Sequence, residues 1–254
     1  MKLGIIGCGA IGSDVARAVD TMTEIDTLYL FDIKKDAAAK LAGEIKKAVV
    51  KNVGEFIPDV DAVMEAASQD AVVEYAEMVL GAGKDLIILS IGSLLDDDFR
   101  KRLMAIATEK KCKIYLPSGA VCGIDGIKAA QMAEVNQVTL VTTKPPASLG
   151  IKTDKRQTLF DGYARDAIIK FPRNINVAAC LSLAGTGFDS TRVKIVVDPV
   201  TAYNSHRILA HGKFGRLRSE MENLPNPRNP KSSYMASLSA IACLRKLIEP
   251  LQIA

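Results

Sequence analysis

Lys2-Leu3-Gly4-Ile5-Ile6-Gly7-Cys8-Gly9-Ala10-Ile11-Gly12 opens the chain, and its reading decides the fold. The apolar run from Leu3 to Gly7 has the length and composition of a buried strand, and it runs straight into a glycine-punctuated turn. Gly7 permits the tight strand-to-helix turn. Gly9 lets backbone approach a pyrophosphate with no side chain in the way, and Gly12 lets the next helix pack close to the strand. The helix starting near Ala10 presents the unpaired N–H groups of its first turn, from Ala10, Ile11 and Gly12, and the positive end of its dipole. A second strand, Thr27 to Phe31, ends on Asp32, whose carboxylate can accept both ribose hydroxyls of an adenosine half. Gly-x-Gly-x-x-Gly alone is a weak signal, because glycine-rich turns occur in other α/β folds. With strand, helix pattern and acid in agreement, the segment implies a bound dinucleotide.

Outward from this turn the first half alternates. Strands are expected at Leu3–Gly7, Leu28–Asp32, Ala62–Glu65, Leu86–Ser90 and Lys113–Leu116. Helices are expected at about Ile11–Asp20, Asp36–Glu44, Ala71–Gly81 and Asp97–Lys110. The strands are short continuous apolar runs, as in a parallel sheet covered on both faces. Gly81-Ala82-Gly83 has the form of a helix stop, and Asp96-Asp97-Asp98 places acids at a helix start. The expected architecture is an α/β, Rossmann-type, doubly wound parallel sheet.

After Leu116 the pattern changes. Longer alternating segments, Gln137–Thr143, Arg192–Val197, Ser205–Ala210 and Arg216–Glu222, predict a smaller α+β domain with a mainly antiparallel sheet. Helical patterns at Gly162–Lys170 and Val177–Gly185 would cover one face, leaving the second as a subunit interface. Pro225-Asn226-Pro227-Arg228-Asn229-Pro230 reads as a stiff linker. Ser232 or Ser233 would cap a last helix running to about Glu249. Its stripe of Met235, Leu238, Ile241, Ala242, Leu244, Leu247 and Ile248 is expected to pack back on the first domain. The expected division is 1–118 with 230–254 for the dinucleotide-binding domain and 119–229 for the substrate and dimerisation domain.

Composition limits the function classes. The 254 residues carry 33 basic and 29 acidic side chains, a formal net charge of +4. The basic runs, Lys34-Lys35, Lys46-Lys47 and Lys110-Lys111, are short and scattered, so nucleic acid is not an expected partner. No apolar stretch reaches the roughly 18 to 20 residues needed to span a bilayer, and Lys2–Ile6 leads into the glycine turn rather than a cleavage site. No membrane association is expected, and the expected location is cytoplasmic. Five cysteines without metal-ligand spacing fit reduced, buried thiols and no metal. Cys8 in the turn reads as a small filler rather than a nucleophile.

Only two histidines exist, His206 and His211. On a regular strand their odd offset puts them on opposite faces. His206, in a polar stretch near a strand start, is either a proton-exchanging group or a hydrogen-bonded structural histidine. Lys144, before Pro145-Pro146, is either an anion ligand or, more plainly, a strand-end charge. Pro117-Ser118-Gly119-Ala120 follows the last parallel strand. Ligands sit beyond the carboxyl ends of such strands, so this loop should border the nicotinamide unless it is only a crossover turn. Asn174 or Asn176 can cap the next helix or offer an amide to a carboxamide.

Taken together, Gly7–Gly12, Leu116-Pro117-Ser118-Gly119-Ala120, Lys144-Pro145-Pro146 with Ser148-Leu149, and Phe171–Ala178 (FPRNINVA) resemble the L-aspartate dehydrogenases. The resemblance continues through Asp198-Pro199, Asn204-Ser205-His206 and Asn229-Pro230-Lys231-Ser232-Ser233, so it covers essentially the whole chain. It implies that His206 is the active-site histidine and that Ala120 and Asn176 contact the nicotinamide. It also implies a homodimer, L-aspartate as substrate and a role at the entry to NAD biosynthesis. By motif position Lys231 and Arg173 are candidates for the substrate carboxylates. Asp32 favours NAD by repelling a 2′-phosphate, while Lys34 and Lys35 can offset that repulsion, so NADP use is possible. Dihydrodipicolinate reductases share the architecture, but their paired histidines and lysine-rich catalytic segment are missing. A homoserine dehydrogenase-like enzyme would need catalytic lysines not evident here. A non-catalytic cofactor-binding sensor would have no need of His206.

Overall fold

A computed structural model describes residues 1–171 and 176–252, and the side chains of all of these except 230 and 231. The chain divides into two compact units. Met1–Pro117 and the chain from Ser237 onward form the first, and Ser118–Ala236 forms the second. The return at Ser237 falls later than the expected 230.

The first unit runs β1 (Lys2–Ile6), α1 (Ala10–Asp20), β2 (Thr27–Phe31), α2 (Lys35–Ala42), β3 (Ala48–Val50), α3 (Val53–Phe56), β4 (Ala62–Glu65), α4 (Gln69–Gly81), β5 (Asp85–Ile88), α5 (Asp97–Lys110) and β6 (Ile114–Tyr115). All six strands are parallel, in the order β3-β2-β1-β4-β5-β6. The chain winds outward from β1 in one direction, then crosses back to β4 on its other side. That reversal opens a crevice at the carboxyl ends of β1 and β4. Leu3, Ile5, Met64 and Ile87 are buried on one face of the sheet and Ile6, Val63 and Ile88 on the other, which is why these strands carry apolar residues on both faces. Ser68 caps α4 by accepting from the Ala71 N–H, and Asp96 caps α5 by accepting from Asp98 and Phe99. β3 and α3 escape sequence reading: the first is a three-residue edge strand, the second one turn held by a capping box of Asn52 and Glu55.

The second unit runs α6 (Ile124–Ala130), β7 (Val135–Lys144), α7 (Pro146–Leu149), β8 (Gln157–Tyr163), α8 (Ala164–Lys170), α9 (Asn176–Ala184), β9 (Arg192–Val197), β10 (Asn204–Gly212), β11 (Gly215–Asn223), β12 (Pro225–Asn226) and β13 (Asn229–Ser233). Its main sheet has the order β11-β10-β7-β9-β8. Every neighbouring pair is antiparallel except β7 with β9. On the covered face Val138, Leu140, Thr142 and Lys144 of β7 are buried beside Asn204, His206, Ile208 and Ala210 of β10. The other face is more open and carries the Arg207–Glu220 and Arg192–Asp161 ion pairs. A concavity of about 860 Å³ lies there against Leu209, His211, Arg216 and Arg218.

Several expectations need correction. Gly162 and Tyr163 belong to β8, and helix begins only at Ala164. The expected linker at 225–230 is instead part of a two-stranded ribbon, β12 with β13. Its turn is held by the Asn226 carboxamide oxygen, which accepts from the Arg228 and Asn229 N–H groups. A two-stranded ribbon has only edges, so its prolines break no central ladder. Ser232 does not cap the last helix but donates its hydroxyl to the Asn229 carbonyl. That helix, α10 (Tyr234–Ile248), buries Ser237, Ala240 and Leu244, with Leu238 and Ala242 turned outward. Ala240 and Leu244 join the core of the first unit with Val15, Val19 and Leu28. Ser237 fits the stripe because its hydroxyl donates to the buried Asp14 carboxylate at 2.7 Å. Of the five cysteines Cys8, Cys112 and Cys180 are buried, but Cys122 is exposed. No helix among the described residues is long and apolar enough to cross a membrane.

Candidate active site

The glycine turn has the geometry its sequence requires. Gly7 sits at φ +104°, a region side chains rarely adopt, and its N–H donates to the Phe31 carbonyl at 2.7 Å. A Cβ on Gly12 would lie 1.9 Å from the Gly7 carbonyl oxygen, so only glycine lets α1 start this close to β1. A Cβ on Gly9 would meet no protein atom within 4 Å. Gly9 therefore keeps a space at the helix start clear, where a pyrophosphate fits against the first-turn N–H groups.

Asp32 stands beside this turn. One carboxylate oxygen accepts from the Cys8 N–H and the other from the Lys34 N–H, both at 2.8 Å. A carboxylate has about four acceptor directions, so capacity remains for a ribose diol. Burial and the Asp32 charge push the Cys8 thiol up to about 12, which keeps it protonated and inert. Glu65, at the end of β4, is a residue the sequence reading missed. It is buried and accepts from the Ala67 N–H (2.7 Å), the Ser90 N–H (2.9 Å) and the Ser90 hydroxyl (2.8 Å). Burial raises its carboxyl above the usual range. It ties together the loops that follow β4 and β5, on the carboxyl-end side of the sheet.

In the second unit the covered face of the sheet turns polar at one end. His206 pairs in register with Thr142 of β7 and Met221 of β11, and its Nδ1 lies 2.9 Å from the Thr142 hydroxyl. Burial, and then the Lys144 charge, press the imidazole down to about 3, so it is neutral at ordinary pH. His211 sits on the open face near Gln137, as the odd offset requires. Lys144 corrects the plainer sequence reading: it is 5 % exposed rather than a strand-end charge in solvent, and burial lowers its ammonium to about 8. Ser205 pairs with Thr143, so Lys144 and Asn204 are neighbours one row beyond His206 on the same face. Asn204 in turn pairs with Asn223 of β11.

Asn223 joins this row to the Ala120 loop. Its Nδ2 donates to the Ala120 carbonyl at 3.0 Å and to the Asn204 carbonyl at 3.1 Å. Gly119, at φ +69°, presents its missing Cβ position 3.6 Å from Val177, beside Asn176 at the first turn of α9. The fold thus gathers His206, Ala120 and the start of α9 within the second unit, and Gly7, Gly9, Ala10, Ile11, Gly12 and Asp32 within the first. Arg173 lies outside the described residues; Lys231 lies on β13, with its side chain outside them. Thr142 and Asn223 were missed by sequence reading, and Asn204 was read only as part of the motif leading to His206, with no role of its own. The available signal was polar residues spaced by two on strands otherwise apolar on that face. Among the described residues no His, Cys, Asp and Glu group is arranged to hold a metal ion.

Comparison with known proteins divides the chain the same way. Residues 7–117 match the family model described as homoserine dehydrogenase, NAD binding domain, and residues 125–247 match aspartate dehydrogenase, C-terminal. An L-aspartate dehydrogenase of Methanosarcina acetivorans is 45% identical, covering 100% of this chain and 99% of the relative. One from Methanothermobacter thermautotrophicus is 40% identical over 100% and 98%. The crystal structure of an aspartate dehydrogenase from Thermotoga maritima superposes with a TM-score of 0.83 at 30% identity, covering 100% and 99%.

Proposed function

The chain belongs to the L-aspartate dehydrogenase family, and we propose that it oxidises L-aspartate at Cα with NAD, His206 serving as the proton acceptor. The observation that carries this reading is the buried row of His206, Thr142 and Lys144 in the unit that matches the aspartate dehydrogenase model.

A bound nicotinamide supplies the hydride acceptor. The protein's part is to bind both reactants, take the amine proton and keep water out. The Gly7–Gly12 turn and the α1 N–H groups, Ala10 to Gly12, hold the pyrophosphate, and Asp32 holds the adenosine ribose. Ala120 and Asn176 meet the nicotinamide. The substrate amine must be neutral before its Cα–H bond can break as hydride, because the nitrogen lone pair forms the new C=N bond. Neutral His206 accepts that amine proton at Nε2. This requires the tautomer in which Nδ1–H donates to the Thr142 hydroxyl. Iminosuccinate leaves and hydrolyses to oxaloacetate and ammonia, or passes onward in NAD biosynthesis. By motif position Arg173 and Lys231 supply cations for substrate carboxylate.

NAD is the better cofactor because Asp32 repels a 2′-phosphate, with Lys34 and Lys35 permitting some use of NADP. The open face of the second unit's sheet forms a homodimer interface, and the enzyme works in the cytoplasm. The test follows reduced-cofactor absorbance with L-aspartate and each oxidised cofactor, then with oxaloacetate, ammonia and each reduced cofactor. Turnover on this pair, faster with NAD, is expected. Clean cofactor binding without turnover would reject the assignment. Mass measurement in solution should give a dimer, and a strict monomer would remove the interface.

A further inference from the structure

We propose that Lys144 and Asn204 form the recognition site for the distal carboxylate of the amino-acid substrate and so set the preference for a dicarboxylic substrate. This rests on the reading of the polar row as the substrate site and adds the residues that select among amino acids.

Asn204 is 0% exposed, yet neither atom of its carboxamide has a hydrogen-bond partner among the described residues. Its backbone is well used: the carbonyl accepts from Asn223, and β10 pairs on both sides. The orphaned amide is therefore not a by-product of a loose segment. Buried polar groups are almost always paired, so a donor and an acceptor held unpaired at a strand end point to a ligand that pairs them. The Oδ1 of Asn223, in the next strand of the same row, is likewise buried without a partner.

The adjacent position on β7 is Lys144, an ammonium buried in the same row. Its positive charge stands beside the unpaired Asn204 amide, so an anion reaching that amide also meets a cation. A carboxylate has the right charge for Lys144 and accepts from the Asn204 Nδ2, forming charge-assisted hydrogen bonds with both. Register says which carboxylate. Positions two apart on a strand are roughly 6.5 to 7 Å apart, and Lys144 and Asn204 stand one such step beyond Thr142 and His206. The carboxylate on Cα adjoins the carbon that carries the amine, and belongs beside His206. The distal one reaches the next row. Arg173 and Lys231 are then left for the carboxylate on Cα.

The test uses the full-length enzyme, Lys144→Met and Asn204→Asp, whose carboxylate keeps the shape of the amide and repels the ligand. Steady-state kinetics with L-aspartate and L-alanine, which lacks the distal carboxylate, are combined with calorimetry of succinate binding. Each variant should raise the L-aspartate KM by about 10-fold or more, the worth of one buried charge-assisted bond. The KM effect should exceed the loss in kcat. The kcat/KM for L-alanine should move far less, succinate binding should weaken in step, and cofactor affinity should hold. Equal losses on L-aspartate and L-alanine would overturn the proposal, as would a fall in kcat alone with succinate binding intact. A wild-type enzyme that binds succinate through Lys144 but does not turn over L-aspartate would keep the carboxylate site and reject the reaction.

Discussion

His206 is held neutral far below its ordinary range because it is buried and faces the Lys144 charge. Two consequences follow at the scale of single residues. As proton acceptor, its replacement by Ala should lower kcat by about 100-fold or more, while cofactor affinity changes little; an unchanged kcat would reject the role. Its depressed titration also adds stability that is present above pH 6.5 and lost as pH falls toward about 3. Acid melting should therefore be shallower in His206→Gln over that interval. Lys144 carries the opposite burden. Its titration falls from 10.5 to about 8, so the unfolded chain binds its proton more tightly, and below pH 8 the substrate-free fold is weaker by about 3 kcal/mol at 1.36 kcal/mol per unit. Lys144→Met should therefore melt no lower than wild type at pH 7, with the difference moving against the variant between pH 8 and 10.5. A large loss of stability at pH 7 would show that Lys144 holds the fold together. This reversal was not legible in the sequence, because a lysine before two prolines looks the same whether its strand ends in solvent or in a buried row.

Between β1 and α1 the glycines divide their labour, and substitution separates it. Gly9→Ala adds a methyl group where no protein atom lies within 4 Å, so the fold should melt normally while cofactor affinity falls by at least about tenfold, the cost of crowding a phosphate contact. Gly12→Ala drives a methyl group into the Gly7 carbonyl and should lower the melting temperature even without cofactor. Equal melting of the two variants would refute this division. Elements of this kind were legible in the sequence, since strand, turn, helix and Asp32 each have a local rule. β8 was not: Gln157–Tyr163 is a mostly exposed edge, and its Gly162 sits next to a real helix. The β12–β13 ribbon was hidden because three prolines imitate a linker, while pairing depends on a turn closed by the Asn226 side chain. His206 was readable as a candidate and Asn204 as part of its motif; Thr142 and Asn223, and the row that Asn204 shares with them, became visible only when register put three strands side by side.

For the molecule as a whole, the first unit is built from both ends of the chain. Ser237 of α10 binds Asp14 of α1 in a buried contact, and Ser237→Ala should cost about 1–3 kcal/mol, read as a lower denaturation midpoint in the cofactor-free enzyme. An unchanged midpoint would make the contact incidental. The discontinuity also has a bearing on biosynthesis. As the ribosome releases the chain, the parallel sheet emerges before α10, so the surface that takes Ala240 and Leu244 stays uncovered until α10 clears the exit tunnel. A stop codon just after the β12–β13 ribbon would therefore leave a product with an open apolar seam, suited to capture by chaperones and proteases rather than to catalysis.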